Sequence, residues 1–398
     1  MERTASTVEA GPEEASPYRD PEPFEVIAQG QRLCFFPSGG GRRERLISLI
    51  DEARISLKLV FYVYTDDACG RRVREGLVAA ARRGVEVSLI VDGFGASVND
   101  AFFAEFEAAG GKFFIFSPHW TPAYVIRNHQ KIVVADDRVA MLGGFNIEED
   151  YFAPPEENGW RDLAFTLEGS LVARVSEWFA QLEEWTHNPR AQFRGIRRRV
   201  RSWDPGAAPA QILIGGPTIG LSTWSRSVSR DLIRGDRLDM IMAYFAPAYR
   251  LRKRIRRIAR KGQTRLVLAG KSDNPATIGA SRSMYRKLIR AGAKIYEFQP
   301  CKLHTKLIVL DDTVYLGSAN FDMRSLYVNL EIVLRIEDRA LADRMRQFVA
   351  EHFAASQEVT PELYRQWATF WNRLRWNLSW FVTSVLDYTV SRNINLGL

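Results

Sequence analysis

Two segments of this chain repeat one chemical pattern, His-x-Lys-x4-Asp: His129, Lys131 and Asp136, then His304, Lys306 and Asp311. Residues two apart in a strand project to one face, so each histidine shares a face with its lysine. Two neighbouring cations make a poor core pair, because they repel and each needs a partner. A phosphate between them removes the difficulty. The ammonium holds non-bridging oxygens, and the imidazole attacks phosphorus or moves protons near neutral pH. Each aspartate lies seven residues from its histidine, on the opposite face of an apolar run. Asp136 and Asp311 therefore read as anchors, pairing with a basic group, rather than as phosphate contacts.

Each copy runs on through a short apolar strand into a glycine turn, GGFN at 143–146 and GSAN at 317–320. Such a turn alone is an ordinary helix start. After a His-Lys pair its backbone amides, with Asn146 and with Ser318 and Asn320, make a phosphate cradle. Further on, Asp162 and Glu331 each put a lone carboxylate into an apolar strand. An isolated acid there either faces water at a sheet edge or takes a partner. A histidine ring nitrogen of the same half would be such a partner, and the contact would orient the imidazole and raise its basicity.

The elements that must carry these residues alternate. A helix at 44–53, a strand at 56–64, a helix at 68–83 closed by Gly84, a strand at 85–92 and a helix at 100–109 predict an α/β fold. The alternation predicts a largely parallel sheet with helices on its faces. The second half repeats the first: AARRGVEVSLIVDG returns as IARKGQTRLVLAG, EAAGGKFFIFSP as IRAGAKIYEFQP, and NHQKIVVADDRVAMLGGFN as LHTKLIVLDDTVYLGSAN. The offset is 175 residues from His129 to His304 and 174 from Asn146 to Asn320, which is a duplicated domain rather than a solenoid period. Related halves are expected to pack about a pseudo-twofold axis with their motifs opposed. The copies differ in two places. Gly144 stands where the second copy has Ser318. The stretch from Pro118 to His129 (11 positions) is seven longer than that from Pro300 to His304 (4 positions). That longer loop carries His119, a surface residue or an entrance group. His187 and His352 read as ordinary helical residues.

The formal net charge of +8 (55 basic, 47 acidic) favours polyanions. Three scattered cysteines, Cys34, Cys69 and Cys301, argue against a disulfide framework and a thiolate zinc site. The start is acidic and proline-bearing, without the apolar core of a signal peptide, and no stretch is long and apolar enough to span a bilayer. The expected division is a mobile acidic tail (1–30), a first half (31–188), a basic linker (189–210), a second half (211–358) and a Trp-rich segment (359–398). The arginines of 190–201 read as a solvated linker or as a contact for anionic headgroups. The eight basic residues of 250–261 read as a solvated helix face that begins near a strand end.

The two motifs, with GGFN and GSAN following, resemble the phospholipase D superfamily from about residue 30 onward. Within it the chain is most similar to bacterial cardiolipin synthases that lack N-terminal membrane helices, through FYVYTDD, YFAP, SLIVDGFG, the NLE after the second motif and the Trp-rich C-terminal segment. The resemblance implies an α/β/α sandwich in each of two duplicated halves, plus an amphipathic C-terminal helix. It implies a phosphatidyltransferase in which one histidine forms a phosphohistidine while the other protonates the leaving alcohol and then deprotonates the incoming one. The phosphate site carries over onto His129, Lys131, Asn146, His304, Lys306, Ser318 and Asn320, with Asp162 and Glu331 behind the histidines. His129 is expected to be the nucleophile and His304 the acid and base. No metal or other cofactor is implied.

The expected substrates are phospholipids, with phosphatidylglycerol as donor and acceptor. A phospholipase that passes the group to water has the same motifs, since acceptor choice rests on water exclusion and pocket shape. A nucleic-acid phosphodiesterase would suit the net charge, but no nucleic acid is expected as partner, and no oligomer is required. Trp367, Phe370, Trp371, Leu374, Leu378, Phe381, Val382 and Val385 form an apolar stripe flanked by Trp376 and Trp380. The stripe predicts either a helix docked on the core or one lying in a membrane surface, which would place the chain on the cytoplasmic face of the cell membrane.

Overall fold

The computed structural model describes residues 18–117, 126–188, 193–218 and 220–386. The first half runs β1 (Phe24–Ala28), β2 (Gln31–Phe36), α1 (Gly39–Glu52), β3 (Ser56–Phe61), α2 (Ala68–Arg82), β4 (Glu86–Asp92), α3 (Asp100–Ala108), β5 (Lys112–Phe116), β6 (Ile132–Ala135), β7 (Val139–Gly143), β8 (Trp160–Arg161), β9 (Ala164–Glu168) and α4 (Leu171–His187). After α5 (Phe193–Ser202), the second half runs β10 (Ala210–Gly215), α6 (Thr223–Arg234), β11 (Leu238–Met242), β12 (Phe245–Ala246), α7 (Tyr249–Lys261), β13 (Thr264–Ala269), α8 (Pro275–Ile289), β14 (Lys294–Phe298), β15 (Lys302–Leu303), β16 (Lys306–Leu310), β17 (Thr313–Gly317), β18 (Phe321–Asp322), α9 (Met323–Tyr327), β19 (Glu331–Glu337) and α10 (Arg339–Glu351). The chain continues through β20 (Ser356–Glu358), α11 (Pro361–Trp367) and α12 (Phe370–Phe381).

Local chemistry sets these boundaries. Asp67 caps α2 by accepting from the Gly70 amide at 2.8 Å, and Asn99 caps α3 through the Phe102 amide at 3.2 Å. Asp136 and Asp137, at φ 54° and 52°, begin the three-residue turn Asp136–Arg138 from β6 into β7, which the Arg138 amide closes on the Ala135 carbonyl at 3.0 Å.

The duplication shows in the strand order. One sheet reads β1-β2-β9-β7-β6-β3-β4-β5 and the other β10-β19-β17-β16-β11-β13-β14-β20. Seven strands correspond, from β2 to β5 and from β10 to β14. Only the outermost strand differs, β1 at one edge and β20 at the opposite edge. The sheets are mixed rather than largely parallel: β3–β4–β5 and β11–β13–β14 are parallel, while the strands beyond β3 and β11 pair antiparallel. Helical crossovers force parallel neighbours, whereas the short turns after β6 and β16 return the chain antiparallel.

The two halves share one core. Its buried members come from both, including Phe35, Trp178 and Leu182 of the first and Ile214, Phe298 and Phe348 of the second. Helices α4 and α10 lie within it. Separate apolar clusters fill the outer face of each sheet under α1–α3 and under α6–α8.

Three expected segments differ. The acidic tail does not reach residue 30, because β1 pairs along β2 and Asp20 lies 3.1 Å from Arg161. The basic linker holds a helix, since Ile196 and Val200 are fully buried in the shared core and seat α5 there. The C-terminal helix docks through the flanking residues rather than the stripe. Trp376 is 2% exposed and meets Tyr364 at 5.8 Å, whereas Phe370, Trp371, Leu374, Leu378, Phe381 and Val382 are 43–73% exposed. Trp367 is partly buried against the second outer cluster, and Val385 lies outside the described side chains. Gly279 of α8 permits this docking, for a Cβ there would meet Ser379 Oγ at 2.8 Å.

Candidate active site

Each histidine sits just ahead of an apolar strand, and a short β pairing with the other half fixes its backbone. Residues 127–128 run beside 329–330: the Leu330 amide donates to the Arg127 carbonyl at 2.9 Å, and the His129 amide to the Leu330 carbonyl at 3.0 Å. In the same way β15 pairs with β8, and the His304 amide donates to the Arg161 carbonyl at 2.7 Å. Both pairings end one residue before a carboxylate. They deliver Glu331 to His129 at 3.2 Å and Asp162 to His304 at 2.7 Å, each on ring atom Nδ1. The carboxylates were expected within the same half, and each instead comes from the other. The register between halves puts a histidine beside the acid that follows its partner strand.

Orientation through Nδ1 leaves Nε2 of each imidazole as the nitrogen for chemistry. The lysines fold back on the same loops: Lys131 Nζ donates to the His129 carbonyl at 2.6 Å, and Lys306 Nζ to that of His304. All four cationic groups are nearly buried, with His129 the most exposed at 13%. Burial pushes Lys131 down to about 7 and Lys306 to about 8, against the pull of Glu331 and Asp162. Burial, reinforced by the lysines, holds His129 well below its ordinary range and takes His304 to about 3. Protonation of any one group opposes that of the others, and an entering phosphate anion reverses the balance.

The carboxylates differ. Burial lifts Glu331 to about 8, although Lys131 and a Ser318 hydrogen bond oppose it. Burial also works upward on Asp162, but the charges of His304 and Lys306 outweigh it and hold Asp162 below its ordinary value. One proton therefore belongs to the Glu331–His129 pair at neutral pH, while Asp162 is ionised beside a neutral His304.

The Gly144/Ser318 asymmetry has a packing reason. Ser318 donates its hydroxyl to Glu331 and accepts from the Ile332 amide at 3.1 Å, so its oxygen is engaged behind His129 rather than presented to a phosphate. A Cβ on Gly144 would lie 2.7 and 2.9 Å from the Asp162 oxygens and 3.0 Å from Lys306 Cδ. Asn146 accepts from the Val63 amide at 3.0 Å and hydrogen-bonds Tyr151, while Asn320 is buried with its Oδ1 unpartnered among the described residues. Asp136 takes the amides of Arg54, Ile55 and Ser56 at 2.7–3.1 Å, and Asp311 those of Asp236 and Arg237. The basic partner expected for each is replaced by backbone amides, at the far ends of β6 and β16.

Several positioning residues were not singled out from the sequence. Arg42, fully buried, donates to the carbonyls of Pro37, Asp162, Tyr151 and Trp160, tying the Asp162 strand to the His304 wall. Asp92 accepts from the amides of Phe94, Gly95 and Asn128 at 2.6–3.1 Å and so fixes the residue before His129. Tyr62 stands 5.1 Å from the His129 ring, and Tyr151 and Trp160 each 5.1 Å from that of His304. An acid closing the apolar strand β4, and a Trp two residues before Asp162 on the same strand face, are the signals that point to two of them. His352 is buried with Nδ1 on the Phe348 carbonyl, an ordinary helical histidine. His119 lies outside the described residues.

The chain matches the family described as cardiolipin synthase, PLD-like domain, over residues 46–183 and 231–353. It is 26% identical to cardiolipin synthase 1 of Staphylococcus epidermidis over 85% of this chain and 71% of that protein. It is 27% identical to cardiolipin synthase B of Escherichia coli K12 over 86% of each. A crystal structure of phosphatidylserine synthase from Haemophilus influenzae Rd KW20 shares the fold, with a TM-score of 0.71 at 13% identity over 90% of this chain and 94% of that one.

Proposed function

The chain belongs to the cardiolipin synthase family with phospholipase D-like domains, and on that footing we propose that it joins two phosphatidylglycerol molecules into cardiolipin and glycerol. The observation that supports this reading is the pair of imidazoles, each held at Nδ1 by a carboxylate from the other half and each beside a buried lysine. His129 Nε2 attacks the donor phosphorus, the bond from phosphorus to the glycerol oxygen breaks, and His304, protonated once the phosphate anion is bound between the lysines, gives that oxygen its proton. The terminal hydroxyl of the second phosphatidylglycerol then loses its proton to His304 and attacks, breaking the phosphorus–nitrogen bond. One phosphodiester is exchanged for another, so no nucleotide energy is needed. Lys131 and Lys306 hold the non-bridging oxygens, with the Asn146 and Asn320 side chains beside them. Ser318 acts through Glu331.

The asymmetry of the carboxylates favours a second assignment with the histidines exchanged. An ionised Asp162 behind a neutral His304 suits an attacking imidazole, while the proton on the Glu331–His129 pair suits an acid.

The site reaches its substrate at an anionic bilayer surface, on the cytoplasmic face. The exposed stripe of α12 supports this, as a contiguous apolar face with Arg373 and Arg375 beside it and Arg252 of α7 stacked over Trp380 at 5.4 Å. Among the described residues no helix is long and apolar enough to cross a membrane.

The test is incubation with labelled phosphatidylglycerol vesicles, with His129→Ala and His304→Ala as controls. Cardiolipin and glycerol, lost in both variants, are the expected products, and the label trapped on residue 129 or 304 assigns the nucleophile. Phosphatidic acid would make the chain a hydrolase. Cleavage of nucleic acid with no lipid turnover would overturn the reading.

A further inference from the structure

We propose a second phosphate-binding site outside the histidine cleft, between α5 and α6. A cavity of about 620 Å³ there adjoins another of about 290 Å³, and Arg201 and Thr218 line both. Six arginines line the pair: Arg194, Arg197, Arg198 and Arg201 of α5, and Arg226 and Arg230 of α6. Among the described lining residues the only acid is Asp204, which turns to Arg174 at 3.5 Å and is largely in solvent. Arg230 is offset by Asp231 at 3.2 Å, and Arg226 donates to the Leu221 carbonyl at 3.0 Å. Arg194, Arg198 and Arg201 have no carboxylate partner among the described residues.

These three recur at i, i+4 and i+7, opposite the buried Ile196 and Val200. Like charges at that spacing oppose the helix that carries them. Arg199 of α5 points instead to Glu184 at 2.9 Å, on a different bearing. A tetrahedral phosphate between the helices would offset the repulsion, because guanidinium forks bind such oxygens in pairs. Lysine would supply only point charges, and among the described lining residues the cations are all arginine. The first turn of α6 also faces the cavity through Ser222 and Thr223, adding its positive end to the same field.

The site borders the catalytic cleft without sharing a residue with it. Val200 packs at Gly216 against Leu330, since a Cβ on Gly216 would lie 2.9 Å from Val200 and 3.0 Å from Leu330. Leu330 is the residue whose carbonyl receives the His129 amide. The ligand class is a phosphate monoester or diester anion, borne by a glycerophospholipid headgroup or by a free phosphate. The inference does not rest on the reaction assigned above.

The experiment uses the full chain and two readouts. Equilibrium dialysis against labelled orthophosphate counts bound phosphate in the parent, in Arg194→Gln/Arg198→Gln/Arg201→Gln and in Lys306→Met, which removes a cleft contact instead. The triple variant is expected to bind one phosphate fewer per chain than the parent, and to do so equally in the Lys306→Met background. Arg226→Gln, on the neighbouring helix, is expected to weaken the same phosphate at least tenfold and serves if the triple variant fails to fold. Co-flotation with phosphatidylglycerol and phosphatidylcholine vesicles identifies the source. A tenfold loss for anionic vesicles alongside the lost phosphate assigns a headgroup, and loss of orthophosphate alone assigns a free phosphate. An unchanged phosphate count in the folded triple variant overturns the proposal. So does retention of single-stranded DNA alone, falling steeply with salt, which would make the face a general polyanion surface.

Discussion

Replacing Glu331 by glutamine separates the electrostatics of the site from its shape. The carboxyl is fully buried, and burial raises its pKa from 4.5 to about 8. Native Glu331 therefore keeps its proton at pH values where the unfolded chain has lost it. Between about pH 4.5 and pH 8 the folded state binds more protons, so the Glu331 contribution is fully present below this window and is lost as pH rises through it, by roughly a factor of ten in the folding equilibrium per unit. Across the whole window the loss is about 5 kcal/mol, a large part of a domain's stability. His129 and His304, with lowered values, act in the opposite direction below pH 6.5, and Lys131 and Lys306 do so above about pH 7. Subtracting the wild-type curve from that of Glu331→Gln leaves the Glu331 contribution together with the change in Lys131 and Lys306, which lose the pull of the ionised carboxylate. Glutamine keeps the shape of the neutral acid and can still donate to His129 and accept from Ser318. Urea unfolding followed by tryptophan fluorescence at pH 5, 6, 7, 8 and 9 is the assay. The variant should match wild type near pH 5 and gain on it steadily to pH 8. Turnover should fall about 100-fold at every pH, because an amide cannot balance a charged imidazole. A flat difference curve, or one in which the variant loses ground as pH rises, refutes the argument.

Gly144→Ser should push Asp162 off His304 and reduce turnover about 100-fold with little change in melting temperature, measured by steady-state kinetics beside a melting curve. Asp136→Ala strips three backbone amides of their acceptor and should cost about 2 kcal/mol, while turnover per folded molecule is unchanged and Asp136→Asn is milder. Changing Phe370, Trp371 and Leu374 together to glutamine should reduce co-flotation with anionic vesicles at least tenfold and leave the melting temperature alone. Trp376→Ala, under the same helix, should instead destabilise the fold by about 3–5 kcal/mol, read by urea unfolding.

Much was legible in one dimension. The histidine and lysine of each motif share a strand face because the side-chain period of a strand is two, and that holds wherever the strand lies. The duplicated segments announced two like sheets, and the seven corresponding strands bear this out. The position of Asp136 and Asp311, seven residues on and across an apolar run, already set them at the strand end away from the histidines. Caps and turns, such as Asp67 ahead of α2, are likewise local. Other features were decided only in three dimensions. Glu331 reaches a histidine 202 positions away and Asp162 one 142 positions away, through two short β pairings that no periodicity records. The face of α12 that docks was decided by Gly279 opening a groove for Ser379 and Trp376, so the residues off the stripe went inward. Ser318 turned to Glu331 because that carboxylate, buried among apolar strands, needed a donor. Local spacing fixes what a residue presents. Packing of distant segments fixes what it meets, because a buried polar group takes its partner from whatever the fold brings within reach.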